Sequence, residues 1–216
     1  MKYSIYICDR FHDDGMKILK ENPNLAITHE LSPHPNLQMT YNHDILITRS
    51  RTKVNESLLN SFPNLKLVIS ATSGFDHIDL NAITDRKLSA EYCPDANADS
   101  AAELTWGLLL AAVRNIPQAH LRVSQGLWRN ETLIGQTLKG KTLLLIGFGR
   151  IGKRVGNFAQ AFQMKVAVYD PYIENLPSWA SKVELQNGLS TCDVVSIHVP
   201  KTSKTFHLLN AENLAH

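Results

Sequence analysis

Lys141-Thr-Leu-Leu-Leu-Ile-Gly-Phe-Gly-Arg-Ile-Gly152 is the stretch on which the fold turns. Its first half is a near-continuous apolar run, the kind that forms a strand buried on both faces. It passes straight into Gly147-x-Gly149-x-x-Gly152, after which Ile151, Val155, Phe158, Ala159 and Phe162 recur at a helical period. Strand, glycine loop and helix in that order form a dinucleotide-binding motif. Gly147 permits the tight turn, Gly149 lets the backbone approach a pyrophosphate, and Gly152 lets helix and strand pack closely. The helix N-terminus, opened by Arg150 and Ile151, offers N–H donors and partial positive charge to phosphates. A second strand, Lys165–Tyr169, ends in Asp170, which falls 170 − 152 = 18 residues after the last glycine. The acid that bonds the adenine ribose is expected after about 20. Its charge repels a 2′-phosphate, and Pro171-Tyr172 bring no arginine to accept one. The reading is NAD rather than NADP.

Outward from this motif, short β-rich runs alternate with helical stretches, the pattern of parallel α/β architecture. Strands are expected at Tyr3–Cys8, Leu25–Thr28, Asp44–Thr48, Leu65–Ser70 and Leu88–Glu91, with helices at Asp13–Glu21, Glu56–Ser61 and Asp79–Arg86. Turn formers at Cys93-Pro-Asp-Ala-Asn97 divide this unit, residues 1–96, from a second, residues 97–216. The second opens with a long apolar helix, Ser100–Arg114, for which Ser100 and Glu103 offer a capping box. Further strands are expected near 183–185 and at 194–198. The fold class is α/β, two layered Rossmann-like units: a flavodoxin-like N-terminal unit and an incomplete dinucleotide-binding Rossmann domain.

With 44% hydrophobic and 19% charged residues in 216, the chain is globular rather than disordered. A net charge of 22 − 20 = +2 gives no case for nucleic acid or a membrane surface. No apolar run approaches the ~18 residues of a membrane span. Cys8, Cys93 and Cys192 are odd in number and far apart, so a reducing, cytoplasmic setting is expected. The histidines share no metal-ligand spacing, and no metal is expected. Trp106, Trp128 and Trp179 read as packing anchors. Arg49-Ser50-Arg51, at a strand's carboxyl end, suits a phosphate or carboxylate, because a guanidinium fork matches either, and suits exposed surface equally well.

Several blocks resemble the D-isomer-specific 2-hydroxyacid dehydrogenases. They are Ser70-Ala-Thr-Ser-Gly-Phe-Asp-His-Ile-Asp79, Asn97-Ala-Asp-Ser-Ala-Ala-Glu103, Gly126-Leu-Trp128, the glycine motif, Asp170-Pro171, and Cys192-Asp-Val-Val-Ser-Ile-His-Val-Pro200 with Thr205. The resemblance implies hydride transfer between NAD and C2 of a small 2-hydroxy or 2-oxo acid. It makes the first unit the substrate domain and the second the cofactor domain. Backbone N–H groups near Ser73 and Gly74 would hold the substrate carboxylate, with Ser73 also beside the cofactor. His198, Val199, Pro200 and Thr205 would lie along the cofactor, with His198 not the proton donor. The Arg49-Ser50-Arg51 block and Asn97 resemble the phosphoglycerate dehydrogenase segments that face a phosphorylated substrate, which makes 3-phosphoglycerate the leading substrate. A homodimer through the Ser100–Arg114 helix and the arm around Trp128 is implied for the full-length protein.

Only four strands are expected after Lys141, where a complete domain has six. The sequence reads as C-terminally truncated within Asn210–His216. The family's substrate-binding arginine, its orienting carboxylate and its proton-donating histidine have no counterpart here, so the 216 residues alone are expected to be inactive. The alternative class is a non-catalytic NAD-binding protein, a corepressor-like sensor or a degraded remnant.

Overall fold

The computed structural model describes residues 2–32, 34–128 and 133–214. The chain forms two compact units, Met1–Asn97 and Ala98–His216.

The first unit runs β1 Tyr3–Cys8, α1 Asp13–Glu21, β2 Leu25–Glu30, β3 Ile45–Thr48, α2 Glu56–Asn60, β4 Leu67–Ser70, α3 Leu80–Asp85 and β5 Ser89–Tyr92. All neighbouring strands pair in parallel, in the order β2-β1-β3-β4-β5. This is the flavodoxin-like order, whose switch point lies between β1 and β3. The sheet buries two cores. Ile5, Ile7, Met16 and Ile47 pack on one side, and Tyr6, Leu46, Leu59, Phe62 and Val68 belong to the other, as strand alternation requires. Helix starts follow capping chemistry: Asn55 accepts from Leu58 N–H at 3.0 Å, and Asp79 from Asn81 and Ala82 N–H.

The second unit runs α4 Ala98–Val113, α5 Ile116–Ser124, β6 Thr142–Ile146, α6 Arg150–Ala161, β7 Lys165–Tyr169, β8 Ala180–Lys182, α7 Leu185–Thr191 and β9 Val194–Ile197. Its four parallel strands are ordered β8-β7-β6-β9. In strand number within the unit that is 3-2-1-4, the Rossmann order, with its switch point between β6 and β9. Leu143, Leu144, Leu145 and Ile146 of β6 are fully buried.

Three expectations are corrected. The long helix starts at Ala98, so Ser100 lies inside it and does not cap it. The stripe Ala98, Ala102 and Trp106 is buried, and a stripe at i, i+4, i+8 selects the helix start over the local capping signal. The third strand of the second unit is Ala180–Lys182 rather than 183–185. Ser181 and Lys182 are exposed, as an edge strand allows, and Glu184 instead precedes α7 as its N-cap residue. Trp106 and Trp179 do pack, but Trp128 is 81% exposed. The expected arm continues into residues 129–132, and the segment 210–216 ends in 215–216; both stretches lie outside the described residues.

Among the described residues no helix is long and apolar enough to cross a membrane, and no group of His, Cys, Asp and Glu could hold a metal ion.

Candidate functional site: a glycine loop and two strand-end loops

In the second unit, strand β6 ends where Gly147 turns the chain at φ +94, a conformation only glycine adopts without strain. A Cβ there would also meet the His198 carbonyl oxygen at 2.6 Å and Val199 Cγ1 at 2.8 Å. The glycine loop and the His198-Val199 segment after β9 are thus in contact at the switch point, where doubly wound sheets bind ligands. A Cβ on Gly152 would meet the Gly147 carbonyl oxygen at 2.2 Å, so α6 sits on the loop only because position 152 lacks one. Gly149 is the opposite case. It is exposed, and a Cβ there would have nothing within 4 Å.

Gly149 also serves as the N-cap of α6 without a side-chain hydrogen bond. The N–H groups of Ile151 and Gly152, in the first turn, bond no acceptor among the described residues. An uncapped helix N-terminus beside open space is where an anion supplies the missing acceptors. The residues present therefore fit a dinucleotide pyrophosphate.

Asp170, half-buried just past β7, accepts from Phe148 N–H at 2.9 Å through Oδ2 and from Tyr172 N–H at 2.9 Å through Oδ1. Its carboxylate fixes the glycine loop and keeps a further lone pair on each oxygen for ribose hydroxyls. The Phe148 ring is buried, edge-on to Trp179 at 5.8 Å. On the other flank, Ser196 Oγ lies 2.8 Å from His198 Nε2, and burial lowers the His198 pKa below the usual imidazole value. Thr205 folds its loop back, bonding the Pro200 carbonyl and accepting from Thr202 N–H at 2.8 Å.

In the first unit, Arg49, Ser50 and Arg51 follow β3, and Ser73 and Gly74 follow its neighbour β4. Both loops leave the carboxyl edge of the sheet. Ser70 Oγ and Thr72 Oγ1 donate to the Gly74 carbonyl at 2.8 and 2.9 Å. This anchors the turn while the N–H groups of Ser73 and Gly74 bond no acceptor among the described residues. Such paired amides suit an anion. A cavity of about 440 Å³ in this unit is lined by Ser50, Arg51, Lys53, Asp76 and His77 among others, and Arg49, Ser73 and Gly74 are not part of its lining. Asn97, exposed at the end of the unit, does not line it.

The sequence reading gave His77 no role of its own and passed over Lys53. Burial lowers the His77 pKa, its Nδ1 is buried without a partner, and Nε2 stands 3.5 Å from Thr48 Oγ1. The signal available was position: Lys53 lies just after the arginine loop and His77 just after the Ser73-Gly74 loop.

A glycine loop between β6 and α6, an acid at the end of β7 and a 3-2-1-4 sheet define a dinucleotide-binding Rossmann unit. Residues 106–216 match the family model described as D-isomer specific 2-hydroxyacid dehydrogenase, NAD binding domain. The chain belongs to that family, and its second unit is an NAD-binding domain. It is 38% identical over 215 residues to a D-3-phosphoglycerate dehydrogenase of Methanocaldococcus jannaschii, covering 98% of this chain and 41% of that protein. It is 34% identical to a hydroxypyruvate reductase of Thermotoga maritima, covering 99% of this chain and 70% of that one. Its fold superimposes with a TM-score of 0.88 on D-lactate dehydrogenase from Aquifex aeolicus complexed with NAD and lactic acid, at 26% identity, over 98% of this chain and 65% of that chain. The chain spans about two fifths of the length of the phosphoglycerate dehydrogenase it matches.

Proposed function

We propose that this chain carries the substrate and cofactor units of an NAD-dependent dehydrogenase acting at C2 of D-3-phosphoglycerate. NAD, when bound, takes up the hydride that leaves C2 and returns it in the reverse direction. The observation that carries the substrate class is the pair Arg49 and Arg51 at the switch point of the first unit. Two guanidinium forks at one strand end suit a phosphate monoester. The N–H groups of Ser73 and Gly74 hold the substrate carboxylate, and Asn97 adds a neutral hydrogen-bonding group. In the second unit the first turn of α6 holds the pyrophosphate, Asp170 the adenine ribose, and Val199, Pro200 and Thr205 the cofactor's far side.

Alcohol oxidation also releases the hydroxyl proton, so a positioned acid–base group is required. We do not give His198 that role: its Nε2 is engaged by Ser196 Oγ at 2.8 Å and its backbone is set against the glycine loop. No residue assigned above supplies the proton donor, its orienting carboxylate or the family's substrate-binding arginine, and the working protein is a homodimer.

Titration calorimetry on the 216-residue chain tests this reading. NAD is expected to bind more tightly than NADP, and D-3-phosphoglycerate more tightly than D-lactate, with a preference that shrinks as salt rises. Oxidation of NADH with hydroxypyruvate is expected to be undetectable. Equal binding of D-lactate would remove the phosphorylated substrate, and measurable turnover would refute the placement of the acid–base group.

A further inference from the structure

Asp9, the first residue past β1, is only 3% exposed and sits at φ +69. Its backbone is tied on both sides: its N–H donates to Ser32 O at 3.2 Å, and its carbonyl lies 2.9 Å from His29 Nε2. Its carboxylate takes the Arg10 N–H at 2.7 Å, and the nearest cation is Arg51, whose Nη1 lies 3.9 Å from Oδ1. The Arg51 side chain is itself 72% exposed. Beside it, Arg49 Nη1 donates to the Arg10 carbonyl at 3.2 Å. The loop after β1 therefore touches both arginines of the loop after β3, and these two strands pair in register Ile5↔Ile45 to Ile7↔Ile47.

Stability gives no reason for this arrangement. A carboxylate withdrawn from water costs more than a single long ion pair and one amide return, and a left-handed backbone adds strain that collects at functional sites. What the arrangement does is restrict two long side chains that would otherwise sample many rotamers at an exposed strand end.

We propose that Asp9 is a positioning residue: with the Arg10 carbonyl it holds Arg51 and Arg49 side by side as a preformed clamp for the anionic group of the substrate. The proposal rests on the reading that these arginines take that anion. Holding them in place before binding removes part of the ordering cost of association.

The test is titration of the 216-residue chain with D-3-phosphoglycerate, and separately with inorganic phosphate, in Asp9→Asn and Asp9→Gly. Asparagine tolerates the left-handed backbone and keeps an acceptor for Arg10; glycine removes the strain altogether, so at least one variant folds. Affinity is expected to fall about tenfold in both. The sign is decisive, because removing a negative charge from an anion site would otherwise strengthen binding. In an Arg51→Ala background the Asp9 substitutions are expected to add little, since the group being positioned is gone. Unchanged or raised affinity in Asp9→Asn and Asp9→Gly, with Arg49→Ala and Arg51→Ala still weakening binding, would overturn the positioning role and leave the clamp standing. If neither arginine substitution weakens binding, the clamp itself is wrong and Asp9 falls with it.

Discussion

Gly149 and Gly152 stand three residues apart in one loop, and replacing each with alanine should produce opposite failures. At Gly152 the added Cβ would lie 2.2 Å from the Gly147 carbonyl oxygen, against a floor of 3.0 Å for real Cβ contacts. The shortfall is 3.0 − 2.2 = 0.8 Å, and the neighbour is backbone, so no side chain can swing away. Helix α6 must lift off the loop that holds it to β6. Overpacking of this kind costs about 1–3 kcal/mol, sometimes more, and a rigid backbone neighbour places Gly152→Ala at the upper end, about 3 kcal/mol. For a unit of this size that lowers Tm by about 12 °C or more. At Gly149 nothing lies within 4 Å of the new Cβ, and φ −76, ψ −155 is open to any residue. Gly149→Ala should therefore unfold within a few degrees of wild type. Its methyl group stands where a pyrophosphate approaches the backbone, and NAD affinity should fall at least about tenfold. Differential scanning calorimetry and NAD titration on the same two proteins separate the effects. Wild-type NAD affinity in a folded Gly149→Ala would remove the open face of the loop from the site. Wild-type stability in Gly152→Ala would refute the packing account of that glycine.

Asp170→Asn keeps an oxygen for Phe148 N–H; it should hold stability while weakening NAD binding by about tenfold, whereas Asp170→Ala should also cost about 1–3 kcal/mol by orphaning that amide. Unaltered NAD affinity in both would take Asp170 out of the site. Trp106 donates from Nε1 to Val155 O at 3.1 Å and stacks on Phe162 at 4.6 Å, so Trp106→Ala should cost about 3–5 kcal/mol in urea unfolding; a loss under about 1 kcal/mol would show that α4 and α6 pack without it. Asp44 accepts from Lys66 Nζ at 2.7 Å and from Ser4 N–H and Oγ, and Lys66 chiefly, then Ser4, holds its pKa below the usual carboxylate value. A depressed folded-state pKa contributes stability that is complete above the ordinary carboxylate range and lost as pH falls through and below it. Asp44→Asn should therefore be less stable than wild type at pH 7, with the gap narrowing by pH 3; a gap constant with pH would exclude this linkage.

How far the sequence could be read depended on whether the decisive signal was local. Apolar runs fix β1, β3, β6 and β7, since a strand buried on both faces has no polar position to spare. The glycine motif and Asp170 were legible because each residue type answers a backbone demand within its own segment. Where tertiary packing competed with local preference, reading failed. Gly188 and Gly156 look like helix breakers, yet a Cβ at Gly188 would meet Leu144 Cδ1 at 2.7 Å and one at Gly156 would meet Trp179 at 2.8 Å. Those helices carry glycine because their neighbours sit too close for anything larger; α6 was still legible from its apolar period, whereas the shorter α7 went unread. Asp9 was invisible for a related cause: one carboxylate after a strand means little until β3 lies beside β1.

By itself the sequence determined a parallel α/β chain with an NAD-type glycine loop and its acid, because hydrophobic period, turn chemistry and charge act within a few residues. Only the tertiary structure decided which loops share a strand edge. Strand order is set by pairing between segments far apart in the chain. That order brought Gly147 against His198 at one switch point and Asp9 beside Arg51 at the other.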